Sequence, residues 1–301
     1  MTDSFYLDVG QHIESGDGYL YRNLQLLGKG GNANTYLVVA TSGPHRGVPF
    51  AIKVFRNLSR PERGEAFLKE VEFLQECDHP SIMRVFDRGS FEGRFPFVVA
   101  EYLPYTLQDV VQAKRQTPVV AKISYALQLL SALAHLDQLR PAVIHRDIKP
   151  QNVFVKGRSC VLGDFGLLKL ANADTDREVF KESVGAGMPY RYRTPDQVAY
   201  LRGEAELTTK SDVFQLGLVL AELFTGRNPE RLCVDMYNDD VALDPIGAIH
   251  SSFSDEIADV ISQMLEFAPA KRLSSIQFLD MWDGIFKVAV RQKLASKKRI
   301  W

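Results

Sequence analysis

His145-Arg146-Asp147-Ile148-Lys149-Pro150-Gln151-Asn152 is the stretch on which the rest of the chain turns. It places an acid, a base and an amide in a few residues. It lies between a long apolar helical stretch, Val119 to Leu139, and a short apolar strand, Val153 to Val155. A loop tied at both ends to core elements is where positioned chemistry belongs, because a rigid scaffold holds its side chains in place. Beyond it comes Asp164-Phe165-Gly166, flanked by Cys160-Val161-Leu162 and Leu167-Leu168. Two acids and an amide near one point suit a phosphate-bound Mg2+, a hard ion that takes oxygen ligands and keeps several waters.

These segments resemble the catalytic loop and the DFG segment of eukaryotic-type protein kinases, H-R-D-x-K-P-x-N and D-F-G. The resemblance implies an α+β fold of two lobes, a small β-rich N-lobe with one helix and a larger, mainly helical C-lobe. It implies a protein serine/threonine kinase that uses ATP and Mg2+ and works mainly by positioning and charge stabilisation. Asp147 is then the base and orienter of the substrate hydroxyl, and Lys149 neutralises the transferring phosphate. A Lys at 149 resembles the Ser/Thr-specific branch. Asn152 and Asp164 are the expected Mg2+ ligands. Arg146 is expected to pair with a phosphate on the activation segment, whose candidate acceptors are Thr175 and Ser183. His145 and Phe165 read as packing residues that set the loop geometry.

Upstream, Leu20, Leu24, Leu26 and Leu27 make a strand-like run into Gly28-Lys29-Gly30-Gly31-Asn32-Ala33-Asn34-Thr35, and Tyr36 to Val39 follow as a strand. This is strand, Gly-rich turn, strand. Glycines let a backbone approach a phosphate, and the turn resembles the kinase Gly-rich loop. It departs from that pattern at Ala33, where the family has its third Gly, and at Thr35, where the family has Val. Asn32 and Asn34 adopt positive φ more readily than most residues, which would let the turn survive the change. Lys53, in Ala51-Ile52-Lys53 on a strand from Val48 to Phe55, is the family's phosphate-binding Lys. Its partner is Glu70, on a helix from about Glu62 to Cys77 with Phe67, Val71 and Leu74 on one face. Glu72 is the rival acid, about 200° away around the helix, so only one of the two can face Lys53. Ala100 to Pro104 resembles the hinge. The nucleotide contacts implied by the resemblance are Leu27, Gly28, Lys29, Gly30, Gly31, Thr35, Ala51, Lys53, Glu101, Leu103 and Phe154.

Downstream, Gly187 to Asp196 loosely resembles the family's G-T-x-x-Y-x-A-P-E, with one extra residue, Asp196 for the Glu and Arg272 as its expected ion-pair partner. Ser211 to Gly217 resembles the start of the family's central C-lobe helix. Ser211 is expected to cap it, Gly226 to end it, and Asp212 to brace the catalytic loop. Further helices fit Asp255–Phe267 and Ser274–Val290. The expected domain layout is a loosely held lead-in at 1–18, a kinase domain at 19–287 (N-lobe 19–101, hinge 102–105, C-lobe 106–287) and a basic tail at 288–301.

Bulk composition is that of an ordinary globular protein: 301 residues, 46% hydrophobic, 24% charged, net charge -1. Nothing in that balance favours a nucleic-acid partner. The basic tail, with Lys293, Lys297, Lys298 and Arg299, reads as a solvated end, and a partner docking there is the other reading. Three widely spaced cysteines give neither a disulfide framework nor zinc spacing, which fits the cytoplasm. The N-terminus has no apolar signal core, and the run Val213 to Phe224 is too short to span a bilayer. Two other functions stay open: a nucleotide-binding scaffold without catalysis, to which Ala33 and Thr35 point, and a small-molecule kinase of similar fold, which would label a small alcohol and no protein.

Overall fold

The computed structural model describes residues 5–57, 61–113, 117–166, 168–170, 180–181, 191–249 and 251–297. Thr175, Ser183, the stretch 187–190 and the last residues of the basic tail lie outside them. The chain forms two compact units, residues 1–78 with 82–104, and residues 79–81 with 105–301. The first is a β-rich unit with one helix and the second is mainly helical, so the fold class is the expected α+β one.

The first unit is a six-stranded antiparallel sheet in the order β1-β2-β3-β4-β6-β5. The strands are β1 (His12–Glu14), β2 (Leu20–Lys29), β3 (Ala33–Ala40), β4 (Pro49–Phe55), β5 (Val85–Phe91) and β6 (Phe95–Glu101). Period-two alternation sends Tyr36 and Val38 of β3, Phe50, Ile52 and Val54 of β4 and Phe97 and Val99 of β6 into one core. On the other face, helix α1 (Pro61–Glu76) packs Phe67 and Val71 against Phe55 and Val98. Of the leucine run of β2, Leu26 packs against the core. Leu20, Leu24 and Leu27 are exposed, while Tyr21 and Asn23 point inward. Residues 5–14 are not a loosely held lead-in. Phe5, Leu7 and Ile13 are buried in the sheet's core, and β1 pairs with β2. Burying each such side chain is worth roughly 1.5–3 kcal/mol, enough to order a segment that reads as polar.

The second unit is built on helix α3 (Val119–Gln138), which packs Ile123, Leu130, Leu133 and Leu136 inward against the other helices. It is long and apolar enough to cross a membrane by length and composition, with half of that span buried in the unit. The other helices described are α2 (Leu107–Gln112), α4 (Pro195–Arg202), α5 (Lys210–Thr225), α6 (Ser254–Met264) and α7 (Ser275–Lys297). Short strands β7 (Tyr105–Thr106), β9 (Val153–Lys156) and β10 (Ser159–Leu162) form one sheet. The strands β8 (Val143–Ile144) and β11 (Lys169–Leu170) form another. Helix α7 runs well past Val290, so the expected tail starts as helix. Ser211 does not cap α5. Thr209 holds the cap position and Ser211 lies inside the first turn, its hydroxyl 2.9 Å from that of Thr194. Gly226 ends the helix with φ +78°.

Candidate active site

The candidate residues fall on both units, and each group has its own geometry. In the first unit, Lys53 sits on β4, on the face opposite the core residues Ile52 and Val54. Its ammonium lies 2.9 and 3.1 Å from the two carboxylate oxygens of Glu70. Glu70 is buried on α1, while Glu72 is exposed, as the 200° separation requires. Strand register sets Thr35 opposite Lys53 and Ala51 opposite Ala100. Leu27, Gly28 and Lys29 end β2, exposed, and Glu101 and Leu103 follow from β6, half-buried and buried.

The turn after β2 is closed by the Gly30 amide donating to the Ala33 carbonyl at 2.8 Å. A side chain at Gly30 would meet that carbonyl at 3.0 Å, whereas Gly28 and Gly31 face open space. The expectation that Asn32 and Asn34 rescue the turn through positive φ is not met. Among the described residues, positive φ outside glycine occurs at Glu92, Arg146, Asp164 and Tyr192. The asparagines act through their side chains instead. Asn32 Oδ1 accepts from Arg63 Nη1 at 2.9 Å and from Asn57 Nδ2 at 3.2 Å.

In the second unit, the loop after β8 carries Asp147, Lys149 and Asn152 into one cluster. Lys149 Nζ lies 2.9 and 2.8 Å from the two Asp147 oxygens. Asn152 Nδ2 donates to the Asp147 carbonyl at 2.8 Å and to Asp147 Oδ2 at 2.9 Å. Pro150 opens a short 3-10 turn that brings Asn152 back, its amide donating to the Lys149 carbonyl at 2.9 Å. The Gly163 amide donates to the Asn152 carbonyl at 2.9 Å, which ties the Asp164 segment to the loop. Asp164 is exposed with φ +60° and Phe154 is half-buried on β9.

The loop backbone is held from behind. Asp212 accepts the amides of His145 at 2.7 Å and Arg146 at 2.9 Å. Gln215 accepts the Ile148 amide at 3.0 Å and donates to the carbonyls of Arg146 and Tyr192 at 3.1 and 2.9 Å. Gln197 donates to the Arg146 carbonyl at 2.7 Å. These partners hold Arg146 at φ +68°, a conformation a non-glycine residue adopts only when its surroundings impose it. Gln215 and Gln197 are the site-supporting residues that the sequence reading missed. A signal existed for Gln197, since Thr194 and Gln197 form a capping box. Gln215 shows in the sequence only as a polar break in an apolar run.

Burial sets the electrostatics. It pushes the Asp147 carboxyl up to about 6, against the pull of Lys149. It pushes Asp212 up to about 7, against its two backbone donors. His145 is fully buried and held down at about 4. Its Nδ1 accepts the Asp147 amide at 3.2 Å, so Nε2 carries the proton facing the Gly163 carbonyl at 3.1 Å. Phe165 packs edge-on against its ring. Arg146 Nη2 donates to the Leu168 carbonyl at 3.2 Å, and its guanidinium lies 4.5 Å from the centre of the Phe180 ring.

A buried carboxylate clasped by a lysine and an asparagine, on a loop braced by a helix-borne aspartate, together with a strand lysine paired to a helix glutamate, defines a protein kinase domain. Residues 21–282 match the protein kinase domain family, and the chain belongs to it. It is 31% identical over 268 residues to a probable serine/threonine-protein kinase of Dictyostelium discoideum, covering 85% of this chain and 15% of that protein. It is 32% identical over 211 residues to the serine/threonine-protein kinase PrkC of Bacillus subtilis, covering 69% of this chain and 31% of that protein. It is 32% identical over 265 residues to the serine/threonine-protein kinase PknB of Mycobacterium tuberculosis, covering 82% and 40%. The chain therefore spans well under half the length of these relatives.

Proposed function

We propose that this chain is an ATP-dependent protein serine/threonine kinase that transfers the γ-phosphate to protein hydroxyls. The observation that carries the reading is the clasp of Asp147 by Lys149 and Asn152. The relatives named as serine/threonine kinases support it.

In this mechanism Asp147 orients the acceptor hydroxyl and takes its proton. A carboxyl near 6 is a better base than an ordinary aspartate and remains mostly ionised at neutral pH. Lys149 places its charge beside that carboxylate, where it also meets the transferring phosphoryl group. Lys53, held by Glu70, is directed to the α- and β-phosphates. Mg2+, when bound, would supply charge neutralisation for the phosphates, and Asn152 and Asp164 are the residues that would hold it. Among the described residues no cluster of three or more His, Cys, Asp or Glu could hold a metal. Mg2+ binds through one or two carboxylates plus substrate phosphates and waters rather than a full protein cage. Asp164 supplies an exposed carboxylate. Asn152 commits its Nδ2 to Asp147 and so offers Oδ1, a hard oxygen of the right kind.

Control by phosphorylation of the activation segment belongs to the same proposal, since Arg146 already contacts that segment at Leu168 and Phe180. The three free thiols support a reducing compartment, the cytoplasm.

The test is transfer from γ-labelled ATP with Mg2+ to a generic protein substrate. Asp147→Asn is expected to lower the rate by roughly 10²–10⁴-fold. Label on Ser or Thr that survives in Asp147→Asn would sink the catalytic assignment. Label on a small alcohol with none on protein would favour a small-molecule kinase. Nucleotide binding with no transfer at all would favour a scaffold. Thr175→Ala with Ser183→Ala is expected to lower activity if the segment is the control point, and a phosphatase-treated wild type should match it.

A further inference from the structure

We infer that Asn32 and Asn34 are positioning residues that hold the Gly-rich turn rigid for the nucleotide, doing with a hydrogen-bonded frame what glycine flexibility does elsewhere. The inference rests on the nucleotide-binding reading above and goes beyond it by naming what fixes the turn.

The turn itself shows no left-handed backbone, and Ala33 stands where flexibility would be expected. Its backbone is held by Arg56, whose amide donates to the Asn32 carbonyl and whose Nη2 donates to the Gly30 carbonyl, each at 2.8 Å. Asn32 Oδ1 then ties the turn to Arg63 at 2.9 Å. Arg63 is buried on α1, the helix that also carries Glu70. The turn and the partner of Lys53 thus share one rigid element.

The second anchor lies on the opposite side. Asn34 is buried, and its Nδ2 donates to the Phe5 carbonyl at 2.9 Å and to Tyr36 Oη at 3.3 Å. Tyr36 Oη in turn accepts the Leu7 amide at 3.2 Å. The Phe5 ring is wedged among Tyr36, Phe91 and Phe95. The N-terminal segment is therefore a strap pinned to the core and bonded to the residue next to Ala33. A turn gripped from both sides loses little entropy when phosphates bind, and that saving appears as nucleotide affinity.

The test measures binding of ATP with Mg2+, by displacement of a fluorescent ATP analogue, alongside steady-state kinetics. Asn32→Ala and Asn34→Ala are each expected to weaken ATP binding and raise its KM by roughly two- to tenfold, the worth of one hydrogen bond. The KM for the protein substrate should move less than about twofold. Asn32→Asp keeps the acceptor for Arg63 and should restore affinity. Asn32→Ala combined with Arg63→Ala should weaken binding by less than the two single changes taken together, because the bond they share is lost only once. Asn34 is buried, so Asn32, only half-buried, keeps the test open if Asn34→Ala fails to fold. A lowered Tm with unchanged ATP affinity in both variants overturns the inference and leaves the kinase reading standing. A wild type that binds ATP but transfers nothing sinks the catalytic reading alone. A wild type that binds no nucleotide overturns both.

Discussion

At the residue scale, His145 makes the sharpest claim about pH. Burial holds its imidazole at about 4, below its ordinary 6.5, and the nearby charges of Lys149 and Arg146 push the same way. The Gly163 carbonyl and the Asp164 charge push upward and lose. Between those two values the unfolded chain binds the proton and the folded chain does not. Stability from this residue is therefore full above about 6.5 and is lost as pH falls toward about 4. Asp212 and Glu230 run the other way, since burial raises both to about 7. Their contribution is full below the ordinary carboxylate range and is lost as pH rises through 7. Comparing wild type with His145→Phe in urea melts isolates the histidine. The wild type should lose on the order of 2–3 kcal/mol relative to the variant between pH 6.5 and 4. Parallel curves would show that His145 does not titrate as its burial requires. The charged residues here were legible in the sequence because they stand at the positions of the motifs the chain shares with the kinase family, as with Lys53, Glu70, Asp147, Asp164 and Asp212. The asparagines were not, because their role depends on partners brought from afar, such as Arg63 and Phe5.

At the element scale, helix ends were the least legible. Ser211 looks like a cap, yet Thr209 takes the position and its hydroxyl donates to Asp137 at 2.6 Å, a partner that local sequence cannot show. The end of α7 was read short because Arg291, Gln292 and Lys293 break the apolar pattern. Those residues are good helix formers, and the helix continues. Gly226 was legible, since a left-handed C-cap selects glycine on backbone grounds alone. A side chain there meets nothing within 4 Å, so Gly226→Ala should cost only the backbone strain, about 1–2 kcal/mol. A drop in Tm of about 2–4 °C with unchanged activity is the expected result. Gln215→Leu is a harsher lesion in the same helix. It strands the buried Ile148 amide and the Tyr192 carbonyl, at about 1–3 kcal/mol each. Because Ile148 follows Asp147, activity should fall along with stability. A variant that melts early but keeps full kcat would mean that Gln215 braces only the Tyr192 side.

At the scale of the whole molecule, the second unit is closed by one buried cation. Arg272 lies 76 residues from Asp196 and bonds it at 2.9 Å, both side chains almost wholly out of water. The sequence pointed to this pair. It could not show the rest of what Arg272 holds. Its Nε donates to the Glu266 carbonyl at 2.8 Å, its Nη1 to the Lys210 carbonyl at 2.6 Å, and its guanidinium lies 4.9 Å from the Phe214 ring centre. One side chain thereby joins the start of α4, the start of α5 and the segment after α6. The shorter Asp196 leaves a trace: Oδ2 meets the guanidinium while Oδ1 is buried without a hydrogen-bond partner among the described residues. Removing one member of a buried pair leaves an uncompensated charge, so Arg272→Met should cost about 3–5 kcal/mol. Arg272→Met with Asp196→Leu removes both charges and should recover part of that loss, since the desolvation of a lone carboxylate disappears. The carbonyls at Glu266 and Lys210 stay without their donor, so recovery should stop short of wild type. Urea melts of the three variants decide it. Full recovery would mean that the pair is the whole of Arg272's role, and no recovery would mean that the carbonyl and ring contacts outweigh the ion pair.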